Sequence, residues 1–234
     1  MHITNIQPSC PILFASEPMR SIMDFYAGHV LPVDRLPKGD SHTVIVFPGL
    51  GASGSATAML RTRLRQLNYD VHDWEHGINQ LPSGDLDAWI TQLAMQLRRL
   101  AAQDGRAVTL IGWSLGGLYA RALLQRYPAC VRQIITLGTP YAELHHVGAA
   151  AASTEGIDDD AVAAVPAFSI YSKSDGVVAW QGCVPIGLHN HHAIAVDGVS
   201  HMGLVYHPEV LSIIAGLLAS SATRAVGAPA TRQS

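Results

Sequence analysis

An α/β architecture, with a mostly parallel sheet covered by helices on both faces and a short cap insertion, is what this sequence predicts. Three observations carry that expectation. Short β-branched and aliphatic runs, such as residues 43–47 and 133–137, read as strands buried on both faces. They alternate with longer stretches whose apolar residues recur at helical spacing, as do Leu60, Leu64 and Leu67. One apolar run, residues 108–111, drives straight into Gly112-Trp113-Ser114-Leu115-Gly116 and then into a helical pattern, which places a sharp strand-to-helix turn there. Alternating strands and helices imply a parallel sheet, whose functional groups cluster at the carboxyl ends of the strands.

Taken in order, residues 1–42 are punctuated by five prolines, and only residues 21–28 read as helical. The first strand, 43–47, ends at Pro48-Gly49-Leu50-Gly51, and a helix starting near Ser53 carries Arg61, Arg63 and Arg65 on its outer side. Residues 69–74 form a shorter strand, followed by a glycine-containing loop through Pro82. Leu86, Ile90, Leu93, Leu97 and Leu100 keep helical phase until Gly105 closes the element. The helix after Ser114 stops before Pro128, because the residue preceding proline avoids helical geometry. The strand at 133–137 ends in Gly138-Thr139-Pro140. Residues 141–165, rich in alanine and carrying Asp158-Asp159-Asp160, break the rhythm and read as an inserted cap with one or two short helices. Strands at 167–171 and 193–196 and a helix at 208–218 complete a single domain spanning 1–220. Residues 221–234 read as a flexible tail.

A chain of 234 residues with 48% hydrophobic and 14% charged residues suits one large domain with a sizeable core. Its net charge of −3 supplies no basic field to hold a phosphate backbone, so nucleic acid is excluded as a partner and neutral or apolar small molecules are favoured. Cys10, Cys130 and Cys183 show no C-x-x-C spacing and fit a reducing compartment, with one bridge left open. The N-terminus lacks a basic region followed by a long apolar run, and no stretch approaches 18 uninterrupted apolar residues. A cytoplasmic protein without stable membrane insertion is therefore expected.

Ser114 at the turn has the form of a nucleophile elbow. Side chains at positions 112 or 116 would crowd the bend, where the serine takes a strained backbone costing about 1–3 kcal/mol. With 21 glycines in the chain a five-residue match alone is cheap, but its place between a buried strand and an amphipathic helix is what the mechanism demands. A serine hydroxyl needs a base, and the base needs a third group to fix its tautomer. In this motif's chain order the acid and then the histidine follow the serine. Asp175 lies just past one strand end and His201 just past the last strand. Among twelve histidines, His191 and His192 enter the last strand at its amino end, the wrong edge, while Asp158 to Asp160 fall in the cap and read as solvated. His145-His146 and His189-Asn-His-His192 lack metal-ligand spacing, so no metal is expected. The N–H groups of Leu115 and Leu50 are the expected oxyanion donors.

These residues resemble the α/β-hydrolase superfamily, and within it the small bacterial lipases and esterases. Residues 47–51 are similar to their oxyanion loop, 112–117 to their elbow, 172–178 to their acid loop and 200–203 to their histidine loop. The resemblance covers about residues 43–219, and Pro48 stands where many of those lipases carry histidine. It implies a sheet of eight strands or somewhat fewer, a Ser114/His201/Asp175 triad, and hydrolysis of carboxylic esters without a cofactor. Acyl transfer and thioester hydrolysis use the same constellation, and a non-catalytic binding module on the same fold is the alternative of a different class.

Overall fold

The computed structural model describes residues 10–82, 84–141, 159–184 and 190–226. Six strands form one parallel sheet: β1 Thr43–Phe47, β2 Asp70–Asp73, β3 Val108–Trp113, β4 Val131–Leu137, β5 Ala167–Ser172 and β6 His191–Val196, in spatial order β2-β1-β3-β4-β5-β6. The order reverses between β1 and β3, where Phe47 pairs with Gly112, and this opens a crevice beyond the carboxyl ends of those two strands.

Alternating side chains of each strand feed two cores. Val44, Val46, Ile111, Ile135 and Ile170 pack against α2 (Ala58–Gln66) and α6 (Pro208–Val226). Ile45, Phe47, Leu110 and Ile134 pack on the other face against α3 (Leu86–Asp104) and α4 (Leu115–Arg126). The α/β fold class expected from the alternation of elements is the one observed, because both faces of every central strand are buried. Strand β4 begins at Val131 and β6 at His191, each two residues before the sequence reading. Helix α6 continues to Val226, past residue 218. Of the cap at 141–165, residues 142–158 lie outside the described residues, and the remainder contains α5, Asp159–Ala164. His145, His146 and His189 likewise lie outside them.

One expectation needs correction. Residues 11–30 form a continuous helix, α1 (Pro11–Val30), where the sequence suggested helix only at 21–28. Pro11 sits in the first turn, where its missing N–H costs nothing, and Pro18 is accommodated inside the helix. The periodicity was misleading because the helix is inverted. Glu17 and Asp24 are buried, while Ile12, Met19, Met23, Tyr26 and Val30 stand exposed. No helix among the described residues is long and apolar enough to cross a membrane.

A polar cluster links β5 and β6 to Tyr141 after β4. His191 Nε2 shares a 2.9 Å hydrogen bond with Ser169 Oγ, Ser169 donates to Tyr141 OH at 3.0 Å, and Arg121 lies 5.6 Å from the centre of the Tyr141 ring. Burial first, and then the positive charges of Arg121 and His192, push the His191 imidazole from 6.5 down to about 4. An unfolded chain protonates this residue near pH 6.5, whereas the folded protein resists until about pH 4. Stability is therefore lost as pH falls through that window. Substituting His191→Gln is expected to flatten the fall in Tm between pH 6.5 and 4 by about one proton's worth of slope. Thermal melts across that range check this, and an unchanged slope contradicts it.

Candidate active site

Ser114 joins β3 to α4 with φ 53° and ψ −122°, a left-handed backbone that a residue bearing a Cβ adopts only under strain. Three hydrogen bonds hold it there. Its N–H donates to the Leu137 carbonyl at 2.8 Å, and its own carbonyl accepts from Thr139 Oγ1 at 2.9 Å and from Gly117 N–H at 3.0 Å. The bend is tight enough to require glycine on both sides. A Cβ at residue 116 would stand 2.5 Å from the Phe47 carbonyl oxygen, and one at residue 112 would stand 2.4 Å from Gly117 Cα. Helix α4 starts at Leu115, so its unpaired N–H groups and positive dipole end lie at the serine.

Asp175 and His201 meet: Nδ1 of the buried imidazole lies 2.6 Å from Asp175 Oδ2. The other carboxylate oxygen, Oδ1, accepts from the N–H groups of Val177 and Val178, both at 2.8 Å. This division leaves Oδ2 free to orient the ring. The histidine loop is drawn to the elbow by Trp113, whose Nε1 donates to the His201 carbonyl at 3.1 Å while the two rings lie 5.6 Å apart. The ring also rests on Gly138, where a Cβ would come within 3.1 Å of His201 Nδ1. Among the described residues no hydrogen bond joins Ser114 Oγ to His201 in this conformation. Such links are often long before substrate binds.

The loop after β1 abuts the serine: a Cβ at Gly49 would lie 3.2 Å from Ser114 Cβ. What holds this loop, with Pro48 in place of histidine, is Asn79. Its Nδ2 donates to the Pro48 carbonyl at 2.6 Å, its carbonyl accepts from Gly51 N–H at 2.7 Å, and its N–H donates to the Ala52 carbonyl at 2.7 Å. Asn79 is wholly buried. The structure thus places Leu50 and Leu115 on the two segments flanking Ser114, and Asp175 and His201 in contact at the ends of β5 and β6. His191 lies at the amino end of β6 against Ser169, and His192 stacks on Phe168. Asp159 and Asp160 sit exposed in the first turn of α5.

Sequence reasoning missed Asn79 and two carboxylates of α1. Asp24 Oδ2 accepts from Ser200 N–H at 2.9 Å and Ser200 Oγ at 2.5 Å, and Glu17 receives the amides of Gly176, His201 and Met202. For α1 the missed signal was the helical spacing of Glu17, Arg20, Ser21 and Asp24, a polar stripe in a segment read as irregular. For Asn79 a lone amide in a loop gives no pattern.

Replacing Asn79 with Ala leaves the Pro48 carbonyl without its buried donor, so Asn79→Ala is expected to lower unfolding stability by about 1–3 kcal/mol. Urea denaturation measures it, and an unshifted midpoint shows that the loop does not depend on this side chain.

Comparison with known proteins agrees with this geometry. A model of the palmitoyl protein thioesterase family matches residues 43–179, a stretch that holds the first loop, the elbow and the acid loop. A pimeloyl-[acyl-carrier protein] methyl ester esterase of Shewanella woodyi is 32% identical over 104 residues. The match takes in 43% of this chain and 37% of the relative, so the chain spans little more than a third of that protein's length. Among solved structures, Est1E of Butyrivibrio proteoclasticus with bound ferulic acid superposes with a TM-score of 0.59 at 12% identity, covering 85% of this chain and 94% of that one. The mature lipase BlEst2 of Bacillus licheniformis gives 0.57 at 18% identity, covering 79% and 95%. These structural likenesses establish an α/β-hydrolase fold, and the family model, which matches more than half of the sequence, establishes that the chain belongs to the palmitoyl protein thioesterase family.

Proposed function

We propose that this protein is a serine hydrolase that cleaves carboxylic esters of the lipase and esterase type through an acyl-enzyme intermediate. Ser114 attacks the acyl carbonyl, and His201 takes the serine proton and delivers it to the leaving alcohol. Asp175 fixes the imidazole tautomer and stabilises the imidazolium, and water then deacylates the enzyme. The N–H groups of Leu50 and Leu115 receive the oxyanion. The observation that carries this reading is the 2.6 Å contact of Asp175 with His201, on a loop bonded to the residue preceding a strained serine.

The substrate is a small, neutral or apolar acyl ester. Leu50 is 53% exposed and Met202 38% exposed, each adjoining a group assigned to the chemistry, and Ile78 and Leu81 add exposed apolar surface on the loop that carries Asn79. The same arrangement serves thioesters, and the family match favours that second reading. We place the protein in the reducing cytoplasm, where Cys10, Cys130 and Cys183 stay as thiols.

Hydrolysis of p-nitrophenyl esters, acyl thioesters and triglycerides by the purified protein tests both readings. Ester turnover is expected, with Ser114→Ala reducing kcat by at least about 10³-fold and Asp175→Asn by about 10⁴-fold. Equal turnover by Ser114→Ala overturns the assignment of the nucleophile. Thioester turnover without ester turnover moves the protein to the second reading.

A further inference from the structure

We infer that Glu17, on the buried side of α1, is a positioning residue for the Asp175–His201 pair, its carboxylate tying the acid loop to the histidine loop. Oε2 accepts from Gly176 N–H at 3.0 Å, next to Asp175, while Oε1 accepts from the N–H of His201 itself and from Met202 N–H at 3.3 Å. One carboxylate therefore spans two loops that come from different strands. Arg20 completes the tie by donating to Glu17 Oε2 at 2.7 Å and to the Ser174 carbonyl at 2.7 Å.

Two features separate this from ordinary helix packing. The approach is built in at glycine, since a Cβ at residue 176 would stand 2.6 Å from Glu17 Oε2 and 2.5 Å from the Leu13 carbonyl oxygen. The contact also spends a buried charge where an apolar contact would be cheaper. Burial first, and the neighbouring negative charge of Asp175 second, push the Glu17 carboxyl above its usual range, against the opposing pull of Arg20 and the His201 and Gly176 amides. Apolar residues were at hand on the same helix, yet Ile12, Met19 and Met23 face outward. A carboxylate in this place does what an apolar residue cannot. It satisfies three amides, and so holds the main chain of the residue whose imidazole becomes positive when it accepts the Ser114 proton.

This inference rests on the hydrolase reading above, and the experiment separates the two. Wild type, Ser114→Ala, Glu17→Gln, Glu17→Asp and the core variant Ile90→Val are compared by Tm, by kcat and KM on p-nitrophenyl butyrate, and by the rate of Ser114 labelling with a fluorophosphonate. Glu17→Gln removes the charge and gives one amide an NH₂ in place of its acceptor. Glu17→Asp keeps the charge and loses the reach. Both are expected to lower kcat and labelling rate by about 10-fold or more, with KM within about two-fold. Ile90→Val is expected to lower Tm alone.

Wild-type kcat in either Glu17 variant overturns the proposal while leaving the hydrolase reading intact. So does a loss that follows Tm in step with Ile90→Val. Where Glu17→Gln does not fold, Glu17→Asp decides by the same readout. If the wild type neither turns over an ester or thioester nor labels at Ser114, the hydrolase reading fails and takes this inference with it. If it labels without turnover, the labelling rates of the Glu17 variants decide.

Discussion

The strained backbone at Ser114 is the constraint to which the surrounding loops adapt. A serine at φ 53° persists only if its neighbours over-determine it, and here they come from three directions. The Leu137 carbonyl fixes it from β4, Thr139 from the loop beyond, and the Phe47 carbonyl of β1 leaves no room for a Cβ at residue 116. Because β1, β3 and β4 are adjacent and parallel, their carboxyl ends arrive together. The sheet register that pairs Phe47 with Gly112 and Trp113 with Leu137 thereby supplies the strain.

Each remaining loop is tied by a different device, in keeping with the need for a site held to a fraction of an ångström by its support. Asn79 staples the loop after β1 from the far side of the β1–β2 crossover. Trp113 links the histidine loop to the elbow, so the residue before Ser114 also locates His201. Helix α1 then closes the back of the site with Glu17 and Asp24, each reaching a loop through a glycine, Gly176 and Gly203 respectively. A helix that buries its acids and exposes its apolar side is stabilised less by hydrophobic burial than by the backbone amides it satisfies.

The division between what was legible in the sequence and what was not follows from range. Strands such as residues 43–47 and 108–111 and the helix of Leu60, Leu64 and Leu67 declare themselves through local periodicity, and the elbow through a local motif. The contact of Asp175 with His201 follows from their places past strand ends, since neighbouring parallel strands deliver their following loops to one edge. Helix α1 was hidden because the rule that apolar faces point inward fails when a helix packs on polar loops. Prolines at 11 and 18 reinforced the error. Asn79 was hidden because the carbonyls and amides it serves belong to the backbone and carry no sequence signature.

The distribution of donors and charge explains why the carboxylates of Asp175 and Glu17 can stand near one another. The amides of a single turn are shared between them: Val177 and Val178 serve Asp175, while Gly176 serves Glu17. Each carboxylate thus has backbone donors that help offset its burial beside the other. Arg20 bonds Glu17 directly and offsets the excess of negative charge. The amino end of α4 presents its positive dipole end at Ser114. In the proposed mechanism that dipole favours a negative oxygen at the elbow, and Asp175, bonded to Nδ1, favours a positive His201 ring, the charge separation that acyl transfer creates.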